Sequence, residues 1–314
     1  MKAYVLHEPG APDKLRLEEV DRPVPQKGEV LVKVRAISVN PVDTKTREGK
    51  SLYNTLKETP PVILGWDISG EVVGVGEDVQ FFKPGDEVFG MVNFPGHGRA
   101  YAEYVAAPEA HLAHKPANVP HHEAAAATLA ALTAWQVLVH EVNIQAGQRV
   151  LIHAAAGGVG HFAVQIAKYF KATVIGTASA ENHDFLRNMG ADEQIDYHDF
   201  DVEDVVMDMD LVLDSLGEEN TRRSLQTLKD GGKIISILGG AKEEVQALAS
   251  ERNIEAKNYL VHSSGEDQAQ IAELLSQGRL LAHVSHVYDF EDMAKAHEQV
   301  ETRKTRGKIV VHVS

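Results

Sequence analysis

The chain has 314 residues, 43% of them apolar, enough for two domains of roughly 100–200 residues with buried cores. Its 31 Lys and Arg against 46 Asp and Glu leave a formal charge of −15, which argues against work on nucleic acid or anionic membranes but allows a local basic pocket. With no cysteine, disulfides, thiolate nucleophiles and Cys-ligated zinc or iron–sulfur sites are excluded.

The opening MKAYVL reads as a strand start, unlike the roughly 7–15-residue apolar core of a signal peptide. No apolar run approaches the roughly 18 residues that span a bilayer, so a cytoplasmic protein is expected. Up to His121 the chain reads as short strands punctuated by Gly and Pro. Val30, Val32, Val34 and Ala36 share one face of a period-2 segment, and Lys33 and Arg35 share the other. Residues 67–76 form another strand, whose Gly70, Gly74 and Gly76 suggest a bent sheet. Strands at 87–91 and 101–106 follow a KPGD turn at 83–86, and the regular spacing predicts a small barrel or sandwich.

Residues 123–134 are Ala-rich and predict a helix that extends toward 142. Beyond Gly147, strands at 150–154, 173–177, 194–197, 211–214, 233–238 and near 259–262 alternate with helical stretches, which predicts a parallel sheet covered on both faces. The acidic stretch 199–210 predicts a solvated helix face. A helix at 268–277, a strand at 282–288, a helix at 291–300 and a strand at 308–313 close the chain. The layout implied is one discontinuous domain, 1–122 plus 263–314, with a nucleotide domain, 123–262, inserted.

The strongest motif is AAAGGVG at 154–160, which follows a β-branched strand and opens a helix. Val159, Phe162, Ala163, Ile166, Ala167 and Phe170 give that helix an apolar stripe. A dinucleotide diphosphate sits against such a helix start, where orphan N–H groups and the dipole favour negative charge. Ala156, Gly157, Gly158, Val159 and Gly160 are the candidate cradle. Gly157 lets the backbone come close, Gly160 lets the helix lie on the strand, and Ala155 replaces the usual first glycine. NAD enzymes carry an acid about 20 residues on, at the end of the second strand. That position is Ala178, so NADP(H) is favoured, with Ser179 as hydrogen-bond donor and His183 or Arg187 as sources of positive charge. Ser179 can equally cap the next helix.

These motifs, with NPVDTK at 40–45, ILGWDISG at 63–70, GDEVFG at 85–90 and RGKIV at 306–310, resemble the quinone oxidoreductase branch of the zinc-independent medium-chain dehydrogenase/reductases along nearly the whole chain. The resemblance implies a GroES-like β-barrel catalytic domain split around a Rossmann doubly wound parallel sheet, and a homodimer. Zinc alcohol dehydrogenases of this superfamily place a Cys after the third strand and Gly-His-Glu before the next. This chain has Asn40 to Asp43 and Gly65-Trp66-Asp67 there, so zinc-free reduction of a quinone or conjugated carbonyl suits it better than alcohol oxidation. By the same resemblance, Asn40 lies beside nicotinamide and substrate, and Asp43 orients that loop or holds Lys45. Lys45 stabilises developing negative oxygen or relays a proton, and Tyr53 lines the site. Thr133 contacts the cofactor, Tyr197 lies near the adenosine phosphate or in the core, Gly239 and Gly240 border the nicotinamide, and Lys308 reaches the cofactor or lies on the surface. Many NADPH-specific relatives have Lys where His183 stands, which points to weaker or pH-dependent 2′-phosphate binding.

The sixteen histidines include two i, i+3 pairs, His111/His114 and His283/His286, without the third ligand a metal needs; they read as surface residues. His121-His122 reads as a domain junction, Ser263-Ser264-Gly265 lacks a nucleophile-elbow context, and Trp66 reads as barrel packing. Two other functions fit the same motifs: a non-catalytic NADPH-binding redox sensor or scaffold, and an alcohol dehydrogenase-like carbonyl reductase.

Overall fold

A computed structural model describes residues 1–314. The chain divides into two compact units, Met1–Leu132 with His262–Ser314, and Thr133–Val261. The division falls inside a helix, about ten residues beyond the junction expected at His121-His122. The strands of the first unit, before the insertion, are β1 (Lys2–Leu6), β2 (Leu15–Glu19), β3 (Glu29–Val39), β4 (Asp67–Val75), β5 (Glu87–Met91), β6 (Tyr104–Pro108) and β7 (Leu112–His114). The inserted unit holds β8 (Arg149–Ile152), β9 (Thr173–Ala178), β10 (Glu193–Asp196), β11 (Met209–Asp214), β12 (Leu228–Ser236) and β13 (Glu255–Asn258). β14 (Val284–Asp289) and β15 (Lys308–His312) return to the first unit. Four helices matter below: α1 (Pro41–Arg47), α2 (Tyr53–Leu56), α3 (His121–Ala126) and α4 (Leu129–Trp135). So do α5 (Gly158–Tyr169), α6 (His183–Asn188), α7 (Val202–Val205) and α8 (Glu218–Ser224).

In the first unit the long strand β3 pairs antiparallel with β4, β6 and β15. Its register with β4 shifts at Leu31/Val32 and again at Val34/Ala36, two irregularities that bend the sheet as its glycines foretold. Because β3 is central, its apolar residues are buried on both faces: Val30, Val32, Val34, Ala36 and Ile37 are all at 1% exposure or less. The end of β3 is flanked on one side by the first residue of β4 and on the other by the first residues of β15, with Ser38 opposite Asp67 and Val39 opposite Ile309. That register brings residues distant in sequence to one strand end. Trp66 is fully buried and packs edge-on against Phe94, as a barrel-packing residue should.

The inserted unit is the Rossmann sheet, six parallel strands in the order β10-β9-β8-β11-β12-β13. Its last strand is 255–258, earlier than the 259–262 expected. The alternation of Tyr259, Val261 and their neighbours mimics a strand, but pairing with β12 runs through Glu255–Asn258. α5 buries more than a stripe: His161, Val164 and Gln165 are enclosed along with Phe162, Ala163, Ile166 and Ala167. The helix expected over 123–142 breaks after Ala126, where Thr128 Oγ1 donates to the Ala125 carbonyl, and ends in a wide turn at Gln136–Glu141. The acidic stretch forms only α7, with Glu203 and Asp201 paired to Arg223 of α8. No helix is long and apolar enough to cross a membrane.

Candidate active site and nucleotide-binding turn

In the barrel unit the chain leaves β3 at Asn40 and turns directly into α1, with Pro41 at the first helical position where its missing N–H costs nothing. Asp43 closes that turn, its Oδ2 accepting the Asn40 backbone N–H at 2.6 Å. Of the two roles expected for Asp43, the structure shows the orientation of the loop and no bond to Lys45. Asn40 itself is 2% exposed, and its amide is spent. Nδ2 donates to Asp67 Oδ2 at 2.7 Å and Oδ1 accepts from the Lys308 ammonium. An ammonium on one side and a carboxylate on the other fix the amide's orientation, because the reverse would set donor against donor. Lys308 is 3% exposed and also donates to the Val39 carbonyl at 3.3 Å, so it is not a surface lysine. Asp67 takes the Leu129 N–H at 3.0 Å on its other oxygen.

Two carboxylates and one ammonium buried together carry a net negative charge unless one proton stays. Burial pushes Asp43 up to about 7, against the Asn40 N–H that favours its charged form, with Asp67 adding repulsion. Burial also raises Asp67 and lowers Lys308. Asp67 has the nearer compensation, Asn40 and the Lys308 charge, whereas at Asp43 the Asn40 N–H, Lys308 and the Tyr101 hydroxyl only partly offset burial. Asp43 is therefore the group that keeps the proton.

From Asp43 a buried polar chain continues through Tyr101, His297 and Arg47. Tyr101 faces Asp43, and burial followed by the Asp43 charge raises its hydroxyl well above the ordinary value. Its Oη lies 2.9 Å from His297 Nε2, and His297 Nδ1 lies 3.4 Å from the Arg47 guanidinium. A guanidinium only donates, so Nδ1 accepts and Nε2 carries the hydrogen, leaving the tyrosine proton directed away from the ring. Burial and Arg47 hold His297 down to about 3, consistent with a neutral ring. Arg47 is closed off by Glu301 and by the Gly10 carbonyl at 2.8 Å.

Lys45 lies exposed on α1, and Tyr53 is half-buried on α2 with the Lys57 ammonium 5.7 Å from its ring. The structure thus joins Asn40, Asp43 and Lys308 in one cluster and leaves Lys45 and Tyr53 outside it. Sequence reasoning missed Asp67, Tyr101, His297 and Arg47 as partners. The only signal for Asp67 was an acid at the first residue of an apolar strand.

In the inserted unit the turn after β8 is built by β9. Thr177 accepts the Ala154 N–H on its hydroxyl at 3.2 Å and the Ala155 N–H on its carbonyl at 2.9 Å. This holds Ala154 at φ +47°, a left-handed conformation rare for a residue with a side chain. His153 lies beneath, contacting Thr177 Oγ1 at 3.3 Å and Ser224 Oγ at 2.8 Å, and burial lowers it to about 4. Gly157 caps α5 and brings no side-chain acceptor, so the first amides of a twelve-residue helix are unclaimed by any side-chain cap. A Cβ on Gly160 would stand 2.4 Å from the Ala154 carbonyl oxygen, which is the close helix-to-turn packing expected of it. These amides fit a diphosphate.

Ala156 and Thr133 are buried, at 7% and 4% exposure. Gly239 is left-handed at φ +75°, and a Cβ on Gly240 would meet Thr221 Oγ1 at 2.0 Å, so that loop is packed against α8. Asp214 locks it: Oδ2 accepts Ser236 Oγ at 3.0 Å, and Ser236 Oγ accepts the Gly240 N–H at 2.9 Å. Ser179 starts a short 3-10 turn but caps nothing with its side chain, which donates to Glu181 at 3.3 Å. His183 is half-buried, and Tyr197 is 54% exposed and packed on His198, not a core residue.

Residues 26–117 match the family described as alcohol dehydrogenase GroES-like domain, and residues 189–311 that described as zinc-binding dehydrogenase. A chloroplastic NADPH-dependent alkenal/one oxidoreductase of Arabidopsis thaliana is 33% identical over 322 residues, covering 99% of this chain and 79% of the relative. The chain belongs to the medium-chain dehydrogenase/reductases. Among solved structures of this family, a quinone oxidoreductase from Coxiella burnetii is 37% identical with a TM-score of 0.94, covering 100% of this chain and 99% of that one. Escherichia coli quinone oxidoreductase complexed with NADPH is 27% identical with a TM-score of 0.88, covering both chains fully. The donor set does not fit the zinc of the family description. No three His, Asp or Glu side chains are grouped to hold a metal ion. Where a ligand pair would stand, Trp66 is turned into the core with Nε1 on the Gly96 carbonyl, and Asp67 is held by Asn40 and Leu129. Of the histidine pairs, His111 accepts the Asn93 N–H and His114 packs on Phe82, while His286 stacks on Tyr288.

Proposed function

We propose that this chain is an NADPH-dependent oxidoreductase that passes hydride to a quinone or an α,β-unsaturated carbonyl, without zinc. The observation that carries the proposal is the entry to α5, where unclaimed amides follow a turn held by Thr177 and closed by Gly160. The names of the Arabidopsis and Coxiella relatives supply the substrate class. When bound, NADPH supplies the hydride. The amides of Gly158 to Gly160 hold its diphosphate beside Gly157, Gly239 and Gly240 offer a side-chain-free border to its nicotinamide, and Thr133 and Tyr197 add contacts. In the barrel unit, Asn40, Asp43 and Lys308 fix the start of α1. Lys45, with Tyr53, donates a hydrogen bond and then a proton to the oxygen on which negative charge develops. Asn40 and Lys308 act by positioning, since each spends its polar atoms on the cluster.

Purified protein mixed with NADPH and a panel of quinones and conjugated ketones tests this. Loss of the reduced-nicotinamide absorbance band on some members is expected. Tight NADPH binding with no turnover anywhere on the panel would favour a redox sensor instead. The proposal extends to a cytoplasmic homodimer, for which light scattering should report twice the 34.3 kDa of one chain.

A further inference from the structure

In a doubly wound sheet the end of the second strand meets the adenosine ribose. An acid there suits a free 2′-hydroxyl, and a nearby cation suits a 2′-phosphate. β9 ends at Ala178 with no acid of its own, but the neighbouring strand supplies one. Asp196 ends β10 and is the register partner of Ala178. Its Oδ2 accepts the Ala180 N–H at 2.8 Å and its Oδ1 the His198 N–H at 2.9 Å, which pins the carboxylate against the segment that follows β9. The His198 amide holds this carboxyl below the usual range, so it is charged at neutral pH. Glu181 brings a second carboxylate, its Oε1 on the Ser179 hydroxyl at 3.3 Å.

Two of the three basic groups of these segments are otherwise engaged. Arg187 pairs with Asp184 at 2.6 Å, His198 Nδ1 lies 3.0 Å from Asp196, and His183 encloses Nε2 where no partner meets it. Asp199 adds further negative charge just beyond β10. These acids do not make the binding site, which the start of α5 provides; they set the field around its ribose end.

Resting on the NADPH reading above, we propose that Asp196 and Glu181 set dinucleotide selectivity, and that the chain takes NADH with an affinity comparable to that for NADPH. A 2′-phosphate adds roughly two negative charges next to two carboxylates. At physiological ionic strength the screening length is about 8 Å, long enough for that repulsion to act, and at 1 M salt it falls to about 3 Å. A free 2′-hydroxyl meets no such penalty and finds an acceptor in either carboxylate.

Calorimetric titration of the full chain with NADPH and with NADH tests the inference independently of turnover. The two dissociation constants are expected to lie within about tenfold of each other. E181Q should lower the ratio of the NADPH to the NADH dissociation constant about three- to tenfold, by relieving the 2′-phosphate and removing an acceptor for the 2′-hydroxyl, an effect that shrinks in about 1 M salt. A wild-type preference for NADPH beyond about a hundredfold, or an E181Q ratio equal to the wild-type ratio, would overturn the inference and leave the cofactor reading standing. Binding of neither dinucleotide would overturn both.

Discussion

The protonated carboxyl in the barrel is open to a direct thermodynamic test through Asp43→Asn. Asparagine keeps the shape and the oxygen that accepts the Asn40 N–H, and removes the charge at every pH. In the wild type, Asp43 titrates at about 7 when folded and near its ordinary value of about 3.9 when unfolded. Between those values the native state holds a proton that the unfolded chain has released. Stability contributed by this group is therefore complete below pH of about 4, falls as pH rises, and is lost once pH passes about 7. Each pH unit in that window is worth about 1.4 kcal/mol, so from pH 5 to pH 8 the wild type loses about 3 kcal/mol that Asp43→Asn does not. For a unit of 150–250 residues that is roughly 6–12 °C in Tm. Scanning calorimetry of both proteins across this range should show the variant gaining on the wild type with rising pH and levelling off above about pH 7. Parallel pH profiles would mean that Asp43 is ionised throughout, and the charge argument for the cluster would fail.

Lys308→Met leaves the buried Asp67 carboxylate without its cation and should cost about 3–5 kcal/mol in urea unfolding, with Asp67→Asn in the same chain recovering more than half. Gly160→Ala forces the Ala154 carbonyl and α5 apart and should weaken NADPH by more than about tenfold in calorimetry. Lys45→Ala should lower kcat by about 100-fold with NADPH affinity unchanged; unaltered kcat would remove it from proton delivery.

The Rossmann unit was legible because its signals are local. A β-branched strand, a glycine turn and a 3.6-residue apolar period announce themselves within 20 residues, and the structure returns them at β8, the turn and α5. The barrel cluster was legible only in part. Asn40 and Asp43 lie three residues apart, and one holds the other. Lys308 and Asp67 come to Asn40 because β15 and β4 flank β3 in a particular register, information that no window of sequence contains. The acid proposed for the ribose end escaped for the same reason: it was sought along β9 and stands on the neighbouring strand β10. The end of the sheet was misplaced because the segment 259–262 alternates like a strand, while the ladder with β12 runs through Glu255–Asn258 just before it.

In the barrel, the positions that hold a metal in zinc relatives are occupied by groups that satisfy one another. Asn40 spans Lys308 and Asp67, Asp43 holds the Asn40 backbone, and Trp66 is anchored in the core. A cluster so closed can fix the direction of α1 without lending any of its atoms to a ligand. The second Nδ2 hydrogen of Asn40 already points to the Ser38 carbonyl at 3.4 Å. The proposed function therefore gives the developing oxyanion to side chains that α1 and α2 carry outside the cluster. Lys45 is the exposed donor among them, with nothing in the cluster holding it. In the mechanism proposed above the buried charges serve to place that lysine, and the division between groups that position and a group that reacts follows from which hydrogen bonds are already made.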